Sequence, residues 1–342
     1  MEVFMNFINA MFGSILSLDP VSAVKMVVMW AIGGTLIYLA IKKDMEPSLL
    51  LPMGFGAILV NLPLSGAIDQ MHELGIEVGA LSELFRAGIS NELFPLLLFI
   101  GIGAMIDFGP LLANPKLLLF GAAAQFGIFM TLTLACLVNL IFPGMFSIQD
   151  AASVAIIGAA DGPTSIFVGN FYGTKYLGAI IVAAYSYMAL VPIIQPPIMR
   201  ALTTKKERMI VMEQLRPVSK LEKIMFPIIC TIIICLILPT AVPLVGMLML
   251  GNFLRECKVT ERLVQASQNE IINIVTIFLG TSVGLTMQGD RFLQKETLLI
   301  ILLGIVAFGV ATAGGVIAAK LMNLIWRKNP VTPLIGSAGV SA

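Results

Sequence analysis

Charge is scarce in this sequence, and histidine is almost missing. Only 12% of the 342 residues are charged while 58% are hydrophobic, and mean hydropathy is +0.96. Soluble domains carry about 25% charged residues, so an ordinary soluble domain is excluded and a membrane protein is implied. The 21 basic and 20 acidic residues leave a net charge of +1, which supplies no field for binding nucleic acid. One histidine, His72, and four scattered cysteines, Cys136, Cys230, Cys235 and Cys257, offer no closely spaced zinc or iron–sulfur ligands. No Gly-x-x-x-x-Gly-Lys-Ser/Thr phosphate loop is present, so the chain does not hydrolyse ATP itself.

Long apolar runs are present instead. A spanning helix needs about 20 mostly apolar residues, and 21–41 meets that length, closed by Lys42, Lys43 and Asp44. Further apolar segments cover 47–63, 93–106, 117–142, 151–169, 176–199, 224–254 (interrupted by Pro239 and Pro243), 271–287 and 298–326. The expected fold is an all-α polytopic membrane protein with about ten membrane segments, several too short to cross unaided. Residues 1–20 place Val3, Phe4, Phe7, Ile8, Met11, Phe12 and Ile15 at helical spacing, which predicts an amphipathic helix on the membrane surface. This segment lacks the basic start and cleavage site of a signal peptide and is expected to stay on the mature protein. The polar stretch 69–86 is expected to be a loop or surface helix.

Arg200, Lys205, Lys206, Arg208, Arg216, Lys220 and Lys223 make 200–223 the one long basic loop. The positive-inside rule puts it in the cytoplasm with Lys42–Lys43 and Arg327–Lys328; it serves as a topology signal or as a docking surface. It separates a first membrane half, 21–199, from a second, 224–342, and the halves echo each other. Asn91-Glu92 leading to Gly101 and Gly103 matches Asn269-Glu270 leading to Gly280 and Gly284. Phe120-Gly121 with Ala123 and Gly127 matches Phe308-Gly309 with Ala311 and Gly315, and Ile157-Gly158 matches Ile335-Gly336. Three matches in one order predict two repeats, each with a discontinuous helix.

The chemistry concentrates at Asp161-Gly162-Pro163-Thr164 within the apolar run 151–169. Asp-Gly-Pro reads as a turn, either a loop joining two spans or a break at membrane depth. The flanking pieces are too short to cross alone, which favours the break. An intramembrane carboxylate costs about 2.5–3.5 kcal/mol on insertion scales and marks a functional position. Asp161 and freed carbonyls are hard oxygen donors suited to Na⁺. Asn273 and Ser282 add an amide and a hydroxyl on the corresponding segment of the second half, as further ion ligands or as interhelical hydrogen-bonding groups. Tyr185 and Tyr187 put phenols inside a span, where each hydroxyl needs a partner or a task in proton relay or ion binding.

Gly158 to Thr164, Gly251 to Cys257, Asn273 to Gly280 with Ser282, and Asn329-Pro330 with Gly336 to Gly339 are similar to motifs of a known family. The chain resembles the β subunit of sodium-pumping, biotin-dependent decarboxylases acting on oxaloacetate, methylmalonyl-CoA or glutaconyl-CoA. The resemblance implies decarboxylation of carboxybiotin carried by a partner, with proton consumption and Na⁺ export. It implies Na⁺ roles for Asp161, Asn273 and Ser282, a catalytic or coupling role for Asp161, Tyr187 and Ser282, and inverted repeats with a scaffold and a moving core. It further implies biotin-carrying, carboxyltransferase and small membrane subunits as partners, a homo-oligomer within the complex, and the inner membrane of a bacterial cell with lipid around the chain. Two departures stand out. Ala159 occupies a position where the family commonly has glycine, and the sequence ends at Ala342, inside the second broken-helix motif, where family members are expected to continue. A passive sodium symporter or antiporter would share the broken helices and would need no biotin partner.

Overall fold

The computed structural model describes residues 19–63, 65–72, 75–159, 161–212, 216–326 and 330–339. The expected surface helix over 1–20 falls almost wholly outside them, as do Arg327 and Lys328. The described chain is helical apart from one small β-hairpin. Its main helices are α1 (Pro20–Lys43), α2 (Pro47–Val60), α3 (Ala80–Phe85), α4 (Leu93–Met105), α5 (Leu118–Ile141), α6 (Ile148–Ala155), α7 (Gly162–Tyr172) and α8 (Leu177–Leu202). After the basic loop come α9 (Lys220–Ile237), α10 (Val242–Cys257), α11 (Glu261–Ala266), α12 (Ile272–Val283) and α13 (Lys295–Ile325).

Local sequence explains the boundaries. The Asp19 carboxylate caps α1 by accepting the Val21 and Ser22 amides at 3.1 Å each, and Pro20 sits in the first turn, where its missing N–H costs nothing. Lys42 and Lys43 close the last turn, favoured there by the helix dipole. Helix α8 bends by 65° between its parts Leu177–Met188 and Ile193–Leu202.

Among the described residues four helical stretches are long and apolar enough to cross a bilayer: Pro20–Lys43, Pro115–Ile141, Glu261–Met287 and Lys295–Ile325. Two helix pairs joined at short breaks raise the number to six. The other segments in the sequence count of about ten are shorter helices. Large apolar side chains stand exposed on the outside, such as Leu236 and Ile237 at 77% and 78%, as a lipid-facing surface requires. The stretch expected as loop or surface helix holds strands β1 (Gln70–His72) and β2 (Gly75–Glu77), paired antiparallel with Met71 opposite Ile76, before α3 begins.

The chain forms two compact units: residues up to Asn91 with Thr276–Leu299, and Glu92–Val275 with the chain from Ile300 onward. In the first, α2 crosses the end of α12 at two glycines: a Cβ on Gly56 would lie 2.5 Å from the Thr281 carbonyl oxygen, and one on Gly284 would lie 2.5 Å from the Gly56 carbonyl carbon. Asn61 then donates to the Met287 carbonyl at 2.8 Å. In the second, α10 crosses α4 the same way: a Cβ on Gly103 would lie 1.8 Å from the Leu248 oxygen, and one on Gly251 1.9 Å from the Ile100 oxygen. Asn252 donates to the Ile106 carbonyl at 2.8 Å. Met287 and Ile106 each follow their crossing glycine by three residues. Only glycine permits helix axes to approach so closely.

The second unit repeats a further device internally. Asn139, near the end of α5, donates to the Phe146 carbonyl at 2.9 Å and accepts its amide at 3.2 Å. Asn323, near the end of α13, does the same to Val331 at 2.7 and 2.8 Å. Each returning chain enters a 3₁₀ turn, Ile156–Ala159 or Pro333–Gly339. Gly158 of the first turn meets Gly127 of α5, and Gly336 of the second meets Gly315 of α13.

Candidate ion site

The segment carrying Asp161 is a re-entrant hairpin within the second unit. Ser147 opens α6 with a capping box, its hydroxyl accepting the Asp150 amide at 3.1 Å while the Asp150 carboxylate accepts the Ser147 amide at 3.1 Å. The chain descends through α6 and the 3₁₀ turn, and α7 starts at Gly162 with Asp161 as its extended N-cap residue, φ −128° and ψ 107°. Pro163 fits the first turn of α7 because an N–H there would have no helical partner. Gly173 ends α7 in the left-handed conformation at φ 61°, which glycine adopts without strain.

The two legs meet again at their feet. Thr174 Oγ1 donates to Asp150 Oδ1 at 2.6 Å, and the Tyr176 hydroxyl donates to the Met145 carbonyl at 2.9 Å. Edge-on packing of Phe146 against Tyr176, with centroids 5.4 Å apart, completes the closure. Both ends of the hairpin therefore sit on one side, and Asp161 is at its tip. At about 1.5–2.0 Å rise per residue, each leg reaches roughly 16–20 Å, at least half of the roughly 30 Å hydrocarbon thickness.

At the tip the Thr164 hydroxyl donates to the Asp161 carboxylate, and Ser165 bonds the Asp161 carbonyl through its amide at 3.1 Å and its hydroxyl at 2.8 Å. The positive end of the α7 dipole points at the carboxylate. The 3₁₀ turn of the other leg ends at Ala159, two residues before Asp161. Among the described residues no cluster of three or more His, Cys, Asp or Glu is present. One carboxylate with neutral oxygens balances a single positive charge, which suits a monovalent cation better than a divalent one.

The other expected site residues are distributed differently. Tyr187 is 2% exposed; its hydroxyl donates to the Ile301 carbonyl of α13, and its ring fills the notch at Gly304. Tyr185, two residues earlier and so about 200° around the helix, lies against Gly162. Asn273 is exposed in the first turn of α12. Helix α4 packs against both α7 and the π-turn Ser267–Ile271 that precedes Asn273. Ser282 belongs to the first unit, where it is fully buried and donates to the Leu279 carbonyl at 3.1 Å. Thr164 stands three residues after an N-cap carboxylate, a recognisable bonding position in the sequence that was not among the expected site residues; the Asp150–Thr174 closure, 24 residues apart, has no local signal.

A buried carboxylate at the tip of a broken, re-entrant helix, within a largely apolar helical chain, belongs to a polytopic α-helical membrane protein. The family model described as "Na+-transporting oxaloacetate decarboxylase beta subunit" matches residues 25–342. The β subunit of methylmalonyl-CoA decarboxylase from Veillonella parvula is 54% identical, over 92% of this chain and 80% of the relative. Its counterpart from Propionigenium modestum is 52% identical, over 92% and 82%. Oxaloacetate decarboxylase β chain 2 of Salmonella typhi is 48% identical, over 90% and 82%. The chain belongs to the family of β subunits of Na⁺-transporting decarboxylases, and it is a membrane subunit of a multi-subunit decarboxylase sodium pump.

Proposed function

We propose that this chain decarboxylates carboxybiotin delivered by a biotin-carrying partner and uses that step to export Na⁺ held at Asp161. In the reaction the bond between the biotin ring nitrogen and the carboxylate carbon breaks. Its electron pair stays on nitrogen, which takes up one proton, and CO₂ leaves. The observation that carries the reading is Asp161 itself, a single carboxylate at the tip of a hairpin at membrane depth, where its cost is recovered only by binding a cation or a proton. Asn273 and Ser282 are proposed as further oxygen donors to Na⁺ during the transport cycle, and Tyr187, with Asp161 and Ser282, as part of the coupling machinery.

The paired glycine crossings and the two Asn clamps support two inverted repeats, with one half at 21–199, the other at 224–342 and the basic loop 200–223 between them in the cytoplasm. In that loop Glu207 pairs with Lys320 at 3.0 Å and Arg216 with Glu222 at 3.1 Å, which supports a fixed cytoplasmic surface for partners. Those partners are the biotin-carrying and carboxyltransferase subunits, with a small membrane subunit and further copies of this chain, in a bacterial inner membrane. The feeding substrate, oxaloacetate or an acyl-CoA, is selected by the carboxyltransferase.

Asp161→Asn tests the ion site. The variant complex is expected to lose both Na⁺ transport and sodium-dependent decarboxylation, and full coupled activity would sink the assignment. A streptavidin blot of the complex, captured gently through this chain, tests the biotin partner; absence of any biotinylated chain would contradict it.

A further inference from the structure

Among the described residues three buried side-chain polar atoms have no hydrogen-bond partner: Trp30 Nε1, Asn252 Oδ1 and the Tyr185 hydroxyl. Asn252 is anchored through its amide nitrogen, and Trp30 carries a donor only. Tyr185 is different. It is 3% exposed, and its ring lies at the hairpin tip against Gly162, the residue that follows Asp161. A buried hydroxyl without a partner is costly, and in native proteins each such group calls for an explanation, an absent ion being one.

We propose that the Tyr185 hydroxyl is a ligand of the sodium ion held at Asp161. The proposal rests on reading Asp161 as the sodium carboxylate. A phenol oxygen is a hard, neutral donor. With one carboxylate it coordinates Na⁺ without adding charge, so the loaded site is electrically neutral, which lowers the cost of holding an ion in a low-dielectric interior. Helix phase divides the labour between the two phenols of α8. Tyr187 points to α13 and is satisfied by the Ile301 carbonyl, which leaves Tyr185 as the hydroxyl available at the tip.

The test compares Tyr185→Phe and Asp161→Asn with the wild-type assembled complex. The sodium dependence of decarboxylation is measured, and so is the thermal midpoint in detergent with sodium chloride against choline chloride at equal ionic strength. Losing one ligand of hydrogen-bond strength corresponds to about a 10-fold rise in half-saturating sodium for Tyr185→Phe. Its sodium-induced thermal shift is expected to shrink, while its midpoint without sodium does not fall below wild type, because the deleted hydroxyl had no partner. Unchanged sodium dependence in Tyr185→Phe, with the sodium shift lost in Asp161→Asn, overturns the Tyr185 ligand and leaves the Asp161 site standing. A sodium shift retained in Asp161→Asn overturns the site and the ligand together. Failed assembly of Tyr185→Phe, or a lower midpoint without sodium, shows a structural partner for the hydroxyl and overturns the proposal as well.

Discussion

Gly162 and the ring of Tyr185 touch so closely that no side chain fits between them: a Cβ on Gly162 would lie 2.4 Å from both Cε1 and Cζ. Contacts under 3.0 Å force a neighbour to move, and a tyrosine ring buried on every side has little room. Gly162→Ala therefore displaces either the hairpin tip or the ring, and with it the oxygens around Asp161. Displacement of about 1 Å in a positioned site can cost roughly 10²-fold in rate, and overpacking costs about 1–3 kcal/mol of stability. Sodium-dependent decarboxylation of the purified complex is expected to fall by that order while assembly persists. Wild-type sodium dependence in Gly162→Ala would show that the tip tolerates movement and does not set the geometry of the site.

Asp161 was legible in the sequence because a charge inside an apolar run is conspicuous, and the break was legible because Gly162-Pro163 removes helix continuity. That the broken element turns back on itself was not legible. It depends on Thr174 reaching Asp150 and on Phe146 meeting Tyr176, contacts between segments about 24 to 30 residues apart with no periodic trace. Which neighbour each tyrosine of α8 faces was equally hidden, because it is set by the rotation of α8 against its neighbours.

The closure at the hairpin's feet makes its own forecast. Asp150 is 7% exposed and serves both the Ser147 cap and the Thr174 hydroxyl. Asp150→Ala removes both functions, and losses of about 1 kcal/mol for the cap and 1–3 kcal/mol for the buried bond add to roughly 2–4 kcal/mol. Thr174→Val removes only the second. A double-mutant cycle on thermal unfolding should return a coupling of at least about 0.5 kcal/mol. Independent, additive effects would mean that the two legs are held by other contacts.

In the fold, long apolar runs and their charged ends were readable, and strands β1 and β2 were not. Three-residue strands in a polar stretch present too few alternations to separate from a loop. Residues of the internal echoes take up positions that periodicity alone does not reveal. The Gly127 and Gly315 matches mark the helices that meet Gly158 and Gly336, and Asn91-Glu92 directly follows the π-turn Arg86–Ser90 while Asn269-Glu270 lies within the π-turn Ser267–Ile271. Small residues were visible in the sequence; which of them face another backbone was not.

That distinction separates glycines that look alike in sequence. Gly251 and Gly246 lie on the same helix, α10. A Cβ at Gly251 would sit 1.9 Å from the Ile100 oxygen, whereas nothing lies within 4 Å of one at Gly246. Gly251→Ala is expected to separate α10 from α4 and to destabilise by at least about 1–3 kcal/mol. Gly246→Ala is expected to be neutral or to stabilise by up to about 1 kcal/mol, since glycine is the weaker helix former. Thermal unfolding in detergent reads both, and equal midpoints for the two variants would contradict the crossing.

Acid sensitivity should trace in part to Asp107, at the end of α4. The Gly109 amide, at 2.8 Å from Oδ1, does most to hold this carboxyl below its ordinary value of 3.8, aided by Lys223 at 3.2 Å and by Arg255. A carboxyl whose pKa is lower when folded adds stability above its unfolded pKa, and that stability disappears as pH falls through the lower folded value. Asp107→Asn can still accept the Gly109 amide but loses the attraction to Lys223. Its midpoint should lie below wild type at neutral pH by an amount equivalent to less than about 1 kcal/mol, the usual size for a partly exposed pair. The gap should narrow as pH falls below about 4 and shrink in about 1 M salt, where the screening length is about 3 Å. A gap that persists unchanged at low pH and high salt would assign the effect to packing and remove the electrostatic account.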